Sequence, residues 1–459
     1  MKSLLKVTIV ATTLALLAAA CGDDSDVATS ETTTTAPAES TTTAGDIGEP
    51  GPTTTEPPIL TASWKGVTED TVTIAISILD FDALIDMGLQ EFGWGDQRQM
   101  WEFYIEDLNA RGGVAGRQVE AVLDFYNPAF AIEAEEACLR MTEDNDVFAV
   151  LGAFVGPAQS ATPCLTDQED LVTIGGVMTF DLLEGAKGVW VSSGSAARRN
   201  IPIFFDLLDQ TGRIDERSIA IVSGQEDAFT TENAILPILA EHGSSVVVDT
   251  VNTISTDDVL AEDAFWQTTA EKIKTEGAEI LIINGDTTGA IRGIRDNDLD
   301  VEVWVVQSTQ LTNLGSTVDK ADADGALALG SASPGEAWEE PLMVECVGRF
   351  REAFPDVEIL GPLEVGELDD KPYIQLQSTC RQLVTMELVF NAAGPELTPA
   401  SVQAAYEGLG DVQIPGFFFS SWGPGKPDAN DGFRLSEWDS TASEAGALVP
   451  ITEMLDSTP

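Results

Sequence analysis

From residue 71 onward, short runs of apolar and β-branched residues alternate with segments whose apolar residues recur at helical spacing. The runs are VTIAISIL (72–79), VEAVLDF (119–125), VFAVLG (147–152), LVTIGG (171–176), VWVSS (189–193), SIAIVSG (218–224), SVVVDT (245–250), EILIING (279–285), EVWVVQ (302–307) and ALALGS (326–331). Helices are expected between them, at 97–110, 128–142, 197–211, 229–242, 263–276 and 337–353 among others. Strands that are apolar on both faces, each followed by a helix, predict an α/β fold whose parallel sheets are covered on both sides. The stretch from about 65 to 459 is longer than one core usually covers, so two lobes are expected.

The glycine-rich segment NARGGVAGRQVEAVLDF has to be placed on this pattern before it is interpreted. A phosphate cradle needs a strand, then glycines, then a helix N-terminus. Here QRQMWEFYIEDLNA comes first, with Met100, Phe103, Tyr104 and Leu108 on one helical face. Gly112 stands where a helix ends in a left-handed residue, and Gly113 to Gly116 lead into a strand. The glycines are therefore a turn at the wrong end of a helix for an anion. Asn127 and Pro128 are expected to cap the next helix.

The N-terminus adds a compartment. MKSLLKVTIVATTLALLAAAC has two lysines, an apolar run and three alanines against Cys21, the pattern of a signal peptide over residues 1–20. Small residues before a cysteine resemble the lipobox of bacterial lipoproteins, which implies that Cys21 is lipidated; an ordinary secretory signal with an incidental cysteine is the alternative. Residues 21–64 are rich in Thr and Pro and nearly free of large apolar side chains, so they are expected to be a disordered tether. Net charge is -54, which excludes nucleic acid as a partner and is otherwise read as a solvated surface. Of five cysteines, four remain once Cys21 is set aside, and outside the cytoplasm an even number points to two disulfides. The pairs expected are Cys138 with Cys164, on helices flanking one strand, and Cys346 with Cys380, flanking the stretch 355–370.

LNARGGVAGRQVEAVLDFYNPAFAIEAEEACLRM, followed by DNDVFAVLGAF, resembles the corresponding region of type 1 periplasmic binding proteins, the branched-chain amino acid (Leu/Ile/Val) receptors of ABC importers. IAIVSGQEDAF and AEILIINGDTTGAIRGIRDNDL fill the second-lobe places, and the resemblance runs from about 70 to 440. It implies two Rossmann-like lobes joined by three crossings, near Ser193–Ser195, Ser308–Gln310 and Gly410–Val412. Lobe 1 would then be 65–194 with 309–410, lobe 2 would be 195–308 with 411–445, and 446–459 a tail. It also implies a small polar solute, an amino acid or related compound, as ligand. ABC transporter permease subunits would be the protein partners and the membrane would be reached through the lipid anchor. No cofactor and no metal are expected.

Ligands of open parallel sheets bind at the carboxyl ends of strands. In GAFVGPAQS, Pro157 is expected to open a helix, with the amides of Val155 and Gly156 facing the cleft; a plain strand-to-helix turn is the alternative. The resemblance places a carboxylate-binding serine here, and this chain has Gly156 instead. In GGVMTFD, Gly176, Val177 and Thr179 match positions at which the family binds through a carbonyl and a hydroxyl, capping being the other role for Thr179. Phe229 stands where the family has an aromatic, and Asp286, at a strand end, would face a ligand ammonium or cap a helix. Trp94 would cover an apolar ligand or pack on its own lobe, and Gln310 would lie at the hinge.

Catalytic sets are missing. The single histidine, His242, falls at an expected helix C-terminus, where it complements the dipole. No GxSxG, GxxxxGK[ST] or His-based zinc pattern occurs. Seventy-seven acidic residues make chance carboxylate pairs uninformative. The leading expectation is a non-enzymatic, extracytoplasmic, lipid-anchored solute receptor. A ligand sensor without transport and a carboxylate-based surface hydrolase remain as alternatives.

Overall fold

A computed structural model describes residues 59–459 except 255–257, 316, 367, 368, 444 and 445. The expected signal peptide, Cys21 and all but the last residues of the tether lie outside the described residues. The ten apolar runs form the ten strands of the two main parallel ladders. The first sheet holds β1 (Thr71–Leu79), β2 (Gln118–Tyr126), β3 (Ala149–Leu151), β4 (Val172–Ile174) and β5 (Val189–Val191), in the order β2-β1-β3-β4-β5 and parallel throughout. The second contains β6 (Ser218–Gly224), β7 (Ser245–Asn252), β8 (Ile280–Asn284), β9 (Glu302–Val305) and β10 (Leu327–Gly330), parallel in the order β7-β6-β8-β9-β10.

The remaining strands change the picture of two purely parallel sheets. β11 (Gly410–Asp411) and β12 (Ser421–Trp422) pair only with each other. β13 (Gly432–Asp439) runs antiparallel to β10, and β14 (Ala447–Pro450) and β15 (Leu455–Asp456) pair antiparallel with β13. The second sheet is thus mixed, and 446–459 is an edge of it. In β13 apolar Phe433 and Leu435 alternate with Arg434 and Ser436, so it does not show the continuous apolar run of a parallel core strand.

Local chemistry explains the helix boundaries. Asn127 Oδ1 accepts from Ala129 N at 3.0 Å and closes a turn, so the next helix starts at Ala131 and Asn127 is not its cap. The expected helix 337–353 is two, Pro334–Glu339 and Pro341–Ala353, because Pro341 has no amide to continue the first. The longest helix among the described residues, Pro372–Ala393, buries Leu376, Cys380, Leu383, Met386 and Phe390 against the first sheet's core. GGVAG is a turn: Gly113, at φ +70°, donates to Leu108 O, and a Cβ there would sit 1.8 Å from Arg117 O. Both disulfides, Cys138–Cys164 and Cys346–Cys380, are formed.

Each sheet has its own core, and the chain passes between them three times. After β5 it enters the helix Ala197–Gln210, whose Ile201, Phe204 and Phe205 pack in the second core. The second passage is not at Ser308–Gln310, because β10 still pairs with β9; it falls at 331–333, before the helix Pro334–Glu339. The third is not at Gly410–Val412 either. Ala429 belongs to the first core and Phe433 to the second, so the chain crosses at 430–432.

Charge is concentrated where two passages meet. Ser192 N donates to Pro427 O and Ala429 N to Ser192 O, so the first and third passages run side by side. Arg199 bridges the fully buried Asp428 and Asp431, at 2.5 Å to each. Lys426, also buried, donates to Ser421 O and Asp428 O and lies 3.2 Å from Asp431. Burial lowers the Lys426 pKa, and the neighbouring Arg199 lowers it further. The second passage is tied to the third by Arg434, whose two terminal nitrogens grip both oxygens of Glu336 and hold its pKa down to about 2.

Candidate ligand-binding cleft

The carboxyl ends of the two sheets supply the loops expected to hold a ligand. From the first lobe, β4 runs into Gly175 and Gly176, both at positive φ. A Cβ on Gly176 would lie 2.5 Å from Ala153 Cβ, so this loop can press against the loop after β3 only without a side chain. Trp190 Nε1 donates to Gly175 O at 2.7 Å and fixes the same loop from its other side. Val177 is left half exposed, and the Thr179 hydroxyl donates to Asp181 Oδ1 at 2.7 Å rather than capping its helix. Phe180 then reaches the second lobe: its ring lies 5.8 Å from that of Phe229, and it packs on the second core. The two lobes touch here, with Val177, Thr179 and Phe229 near one rim.

Four other expected residues have different surroundings. The Val155 amide donates to Tyr126 Oη at 3.2 Å, so it is committed within its own lobe. Gly156 is exposed at φ +62° and opens a six-residue 3-10 turn with Pro157 in its first positions. Trp94 lies against Phe81, with ring centroids 4.8 Å apart and the planes tilted by 45°, which is packing on its own lobe. Gln310, on the short helix Thr309–Thr312, stands about one strand upstream of the second passage and is not part of it. His242 ends the helix Leu236–Glu241, 3.8 Å from Asp209.

Asp286 combines two roles. Its Oδ1 accepts from Gly289 N at 3.1 Å and caps the helix Thr287–Asp296, while the residue also lines a cavity of about 470 Å³ at the ends of β6, β7 and β8. Gly224, Glu226, Asp227, Asn252 and Trp266 line the same space. Asp227 sits at its edge with Oδ1 accepting from Gln307 Nε2 at 2.8 Å. Burial pushes its carboxyl up to about 6, with Glu226 and Asp181 adding repulsion and Gln307 acting against it. Behind it, Asn284 Nδ2 donates to Asp227 O and Thr231 Oγ1, and Thr231 meets Ser223 at 2.7 Å. Asp227 and Trp266 carry no local motif. The only signal for Asp227 was its place two residues before Phe229 at the end of an apolar strand.

No protein-family model matches the chain, and no curated protein matches it in sequence. Solved structures do match in fold. A solute-binding protein of an ABC transporter from Rhodopseudomonas palustris HaA2, in complex with p-hydroxybenzoic acid, superposes with a TM-score of 0.57 at 17% identity, over 85% of this chain and 98% of that one. A periplasmic binding protein type 1 from Bordetella pertussis Tohama I gives 0.57 at 15% identity, over 83% and 100%. An ABC transporter substrate-binding protein from Desulfitobacterium hafniense, in complex with Leu, gives 0.54 at 14%, over 83% and 100%. The architecture is that of the type 1 periplasmic binding proteins, and the Rhodopseudomonas and Desulfitobacterium proteins that share it are solute- or substrate-binding proteins of ABC transporters.

Proposed function

We propose that the protein is an extracytoplasmic receptor that captures a small polar solute, an amino acid or related compound, between its two lobes and delivers it to an ABC importer without changing it covalently. The observation that carries this reading is the pairing of the fold with the rim contact. Phe180 of one lobe meets Phe229 of the other after the carboxyl ends of β4 and β6, and three passages held together by hydrogen bonds and ion pairs join the lobes. A solute that touches both lobes stabilises their approach by its difference in affinity for the closed and open forms. In the cleft, Gly176, Val177 and Thr179 would meet the ligand from the first lobe and Phe229 and Asp286 from the second. The exposed Gly156 would offer its amide from the first lobe, while Val155, Trp94 and Gln310, engaged within the first lobe or set away from the passages, would not touch the ligand directly.

The export signal and Cys21 support a lipid anchor on the outer face of the cell membrane, and no helix among the described residues is long and apolar enough to span a membrane. A thermal-shift screen of amino acids, amides and small carboxylates tests the reading. Saturation at a hundred times the dissociation constant stabilises a receptor by roughly 2.7 kcal/mol, and the hit should be recovered unchanged after incubation. A hit that is consumed, or no hit together with no solute in the native mass spectrum of the purified protein, overturns it.

A further inference from the structure

The helix that Asp286 caps and the helix Val259–Glu276 bring two carboxyl groups together. At Gly289 a Cβ would lie 1.9 Å from Glu262 Oε1 and 2.4 Å from Asp286 Oδ2, so the two oxygens crowd one point and a side chain there would push them apart. Glu262 is 2% exposed and stands behind Asp286, outside the lining of the cavity. Its Oε2 is held by Arg292 Nη2, and the Nε of that arginine lies 3.6 Å from Asp263. Its Oε1 is buried and no N–H or O–H group donates to it. Asp286 Oδ1 is committed to the Gly289 amide, which leaves Oδ2 toward Glu262.

Arg292 balances charge here but gives neither of the facing oxygens a donor. Two ionised carboxylates only accept, so Oε1 and Oδ2 would repel each other and both stay unpaired on that side. One proton between them removes both costs: Oε2 remains the acceptor for Arg292 while Oε1–H donates to Asp286 Oδ2. Burial raises the Glu262 pKa; Arg292 opposes it, and the hydrogen bond and charge of Asp286 add to it, which is the direction this arrangement requires. Besides Arg292 and Asp263, the charged groups on the cavity side of the pair are Glu226 and Asp227, and both favour the protonated form.

We propose that Glu262 is a positioning residue that shares a proton with Asp286 in the unliganded protein and gives it up when a cationic group of the solute reaches Asp286, so that capture releases a proton and weakens as pH falls. This rests on the receptor reading and adds regulation to its site: acid favours release of the solute. The proton passes to the solvent, and no other bond changes.

Infrared difference spectra of the unliganded protein at pH 6.5 test the pair. Parent minus Glu262→Gln should show the carbonyl stretch of one neutral carboxylic acid, and so should parent minus Asp286→Asn, because Glu262 without a carboxylate beside it stays ionised with Arg292. Urea unfolding supplies the sign. Glutamine keeps an acceptor for Arg292 and a donor for Asp286 but does not titrate, whereas the parent loses the stabilisation of its extra proton as pH rises. Glu262→Gln should thus be at least as stable as the parent at pH 8 and lose that advantage toward pH 5; an ordinary Glu262–Arg292 ion pair predicts a destabilised variant at pH 8. Calorimetry with leucine and lysine in phosphate and in Tris counts protons. The parent should release more protons per bound probe at pH 6.5 than Glu262→Gln, and its affinity should fall by about threefold more between pH 7.5 and 5.5; the share due to Asp227, which titrates near 6, remains in both. Absence of the carboxylic acid band from both difference spectra overturns the shared proton. The band together with equal proton release overturns only its link to capture. Binding by neither probe overturns the amino acid receptor reading and that link with it, while the band still decides the proton.

Discussion

Asp227→Asn removes a carboxylate that folding strips of water, and its effect on stability has a definite sign. The Asp227 carboxyl is raised from 3.8 to about 6, chiefly by burial and then by the repulsion of Glu226 and Asp181, against the hydrogen bond from Gln307. A raised carboxyl binds its proton more tightly in the native state than in the unfolded chain. The native state is therefore favoured by protonation below about 3.8, loses that advantage between 3.8 and 6, and above 6 bears the full cost of a desolvated charge. A shift of about two pKa units, at about 1.4 kcal/mol per unit, sets that cost near 3 kcal/mol as an upper figure. Asparagine keeps the shape and still accepts from Gln307 on Oδ1, but it does not ionise. The unliganded variant should be about 1–3 kcal/mol more stable than the parent at pH 7.5, and the difference should disappear near pH 4. Urea unfolding followed by tryptophan fluorescence at pH 4, 5, 6 and 7.5 measures both curves. Equal stability at pH 7.5, or a difference that does not change with pH, would refute the argument.

Other perturbations separate the hinge, the loops and the anchor. Arg199→Ala leaves Asp428 and Asp431, both fully buried, with Lys426 as their remaining cation, and should cost about 3–5 kcal/mol by urea unfolding; a loss under 1 kcal/mol would show that the network contributes little to holding the passages together. Gly176→Ala forces a side chain onto φ +83° and against Ala153, so a loss of about 1–3 kcal/mol and weaker ligand binding are expected, and an unchanged melting curve would count against the loop's role. Replacing both Cys346 and Cys380 by Ser opens a link across 34 residues, for which loop entropy predicts a loss of about 3–4 kcal/mol; unfolding that is insensitive to the change would contradict it. Cys21→Ser should release the protein from the membrane fraction or leave it unprocessed, and undiminished membrane association would rule out the lipid anchor.

Much of the fold could be read along the chain, because a strand buried on both faces must be apolar throughout and such runs are visible one by one. All ten parallel strands, the GGVAG turn and the local disulfide pairs follow from that kind of signal. β13 escaped it because its neighbour, β10, lies a hundred residues upstream and its own pattern alternates. The second and third passages escaped it for a related reason. Whether a strand such as Leu327–Gly330 joins one sheet or the other depends on which edge has an unpaired ladder, and no residue within the strand records that. The site divides in the same way. Asp286, Phe229 and Thr179 stand at strand ends, which the sequence marks, so they could be named. The partners that decide their chemistry come from elsewhere in the chain: Asp181 takes the Thr179 hydroxyl, Phe180 covers Phe229, and Tyr126 claims the Val155 amide. Asp227 becomes a carboxyl with a raised pKa, and Trp266 a donor without a partner, only once folding removes water from around them, and desolvation is a property of the packed structure, not of the residue.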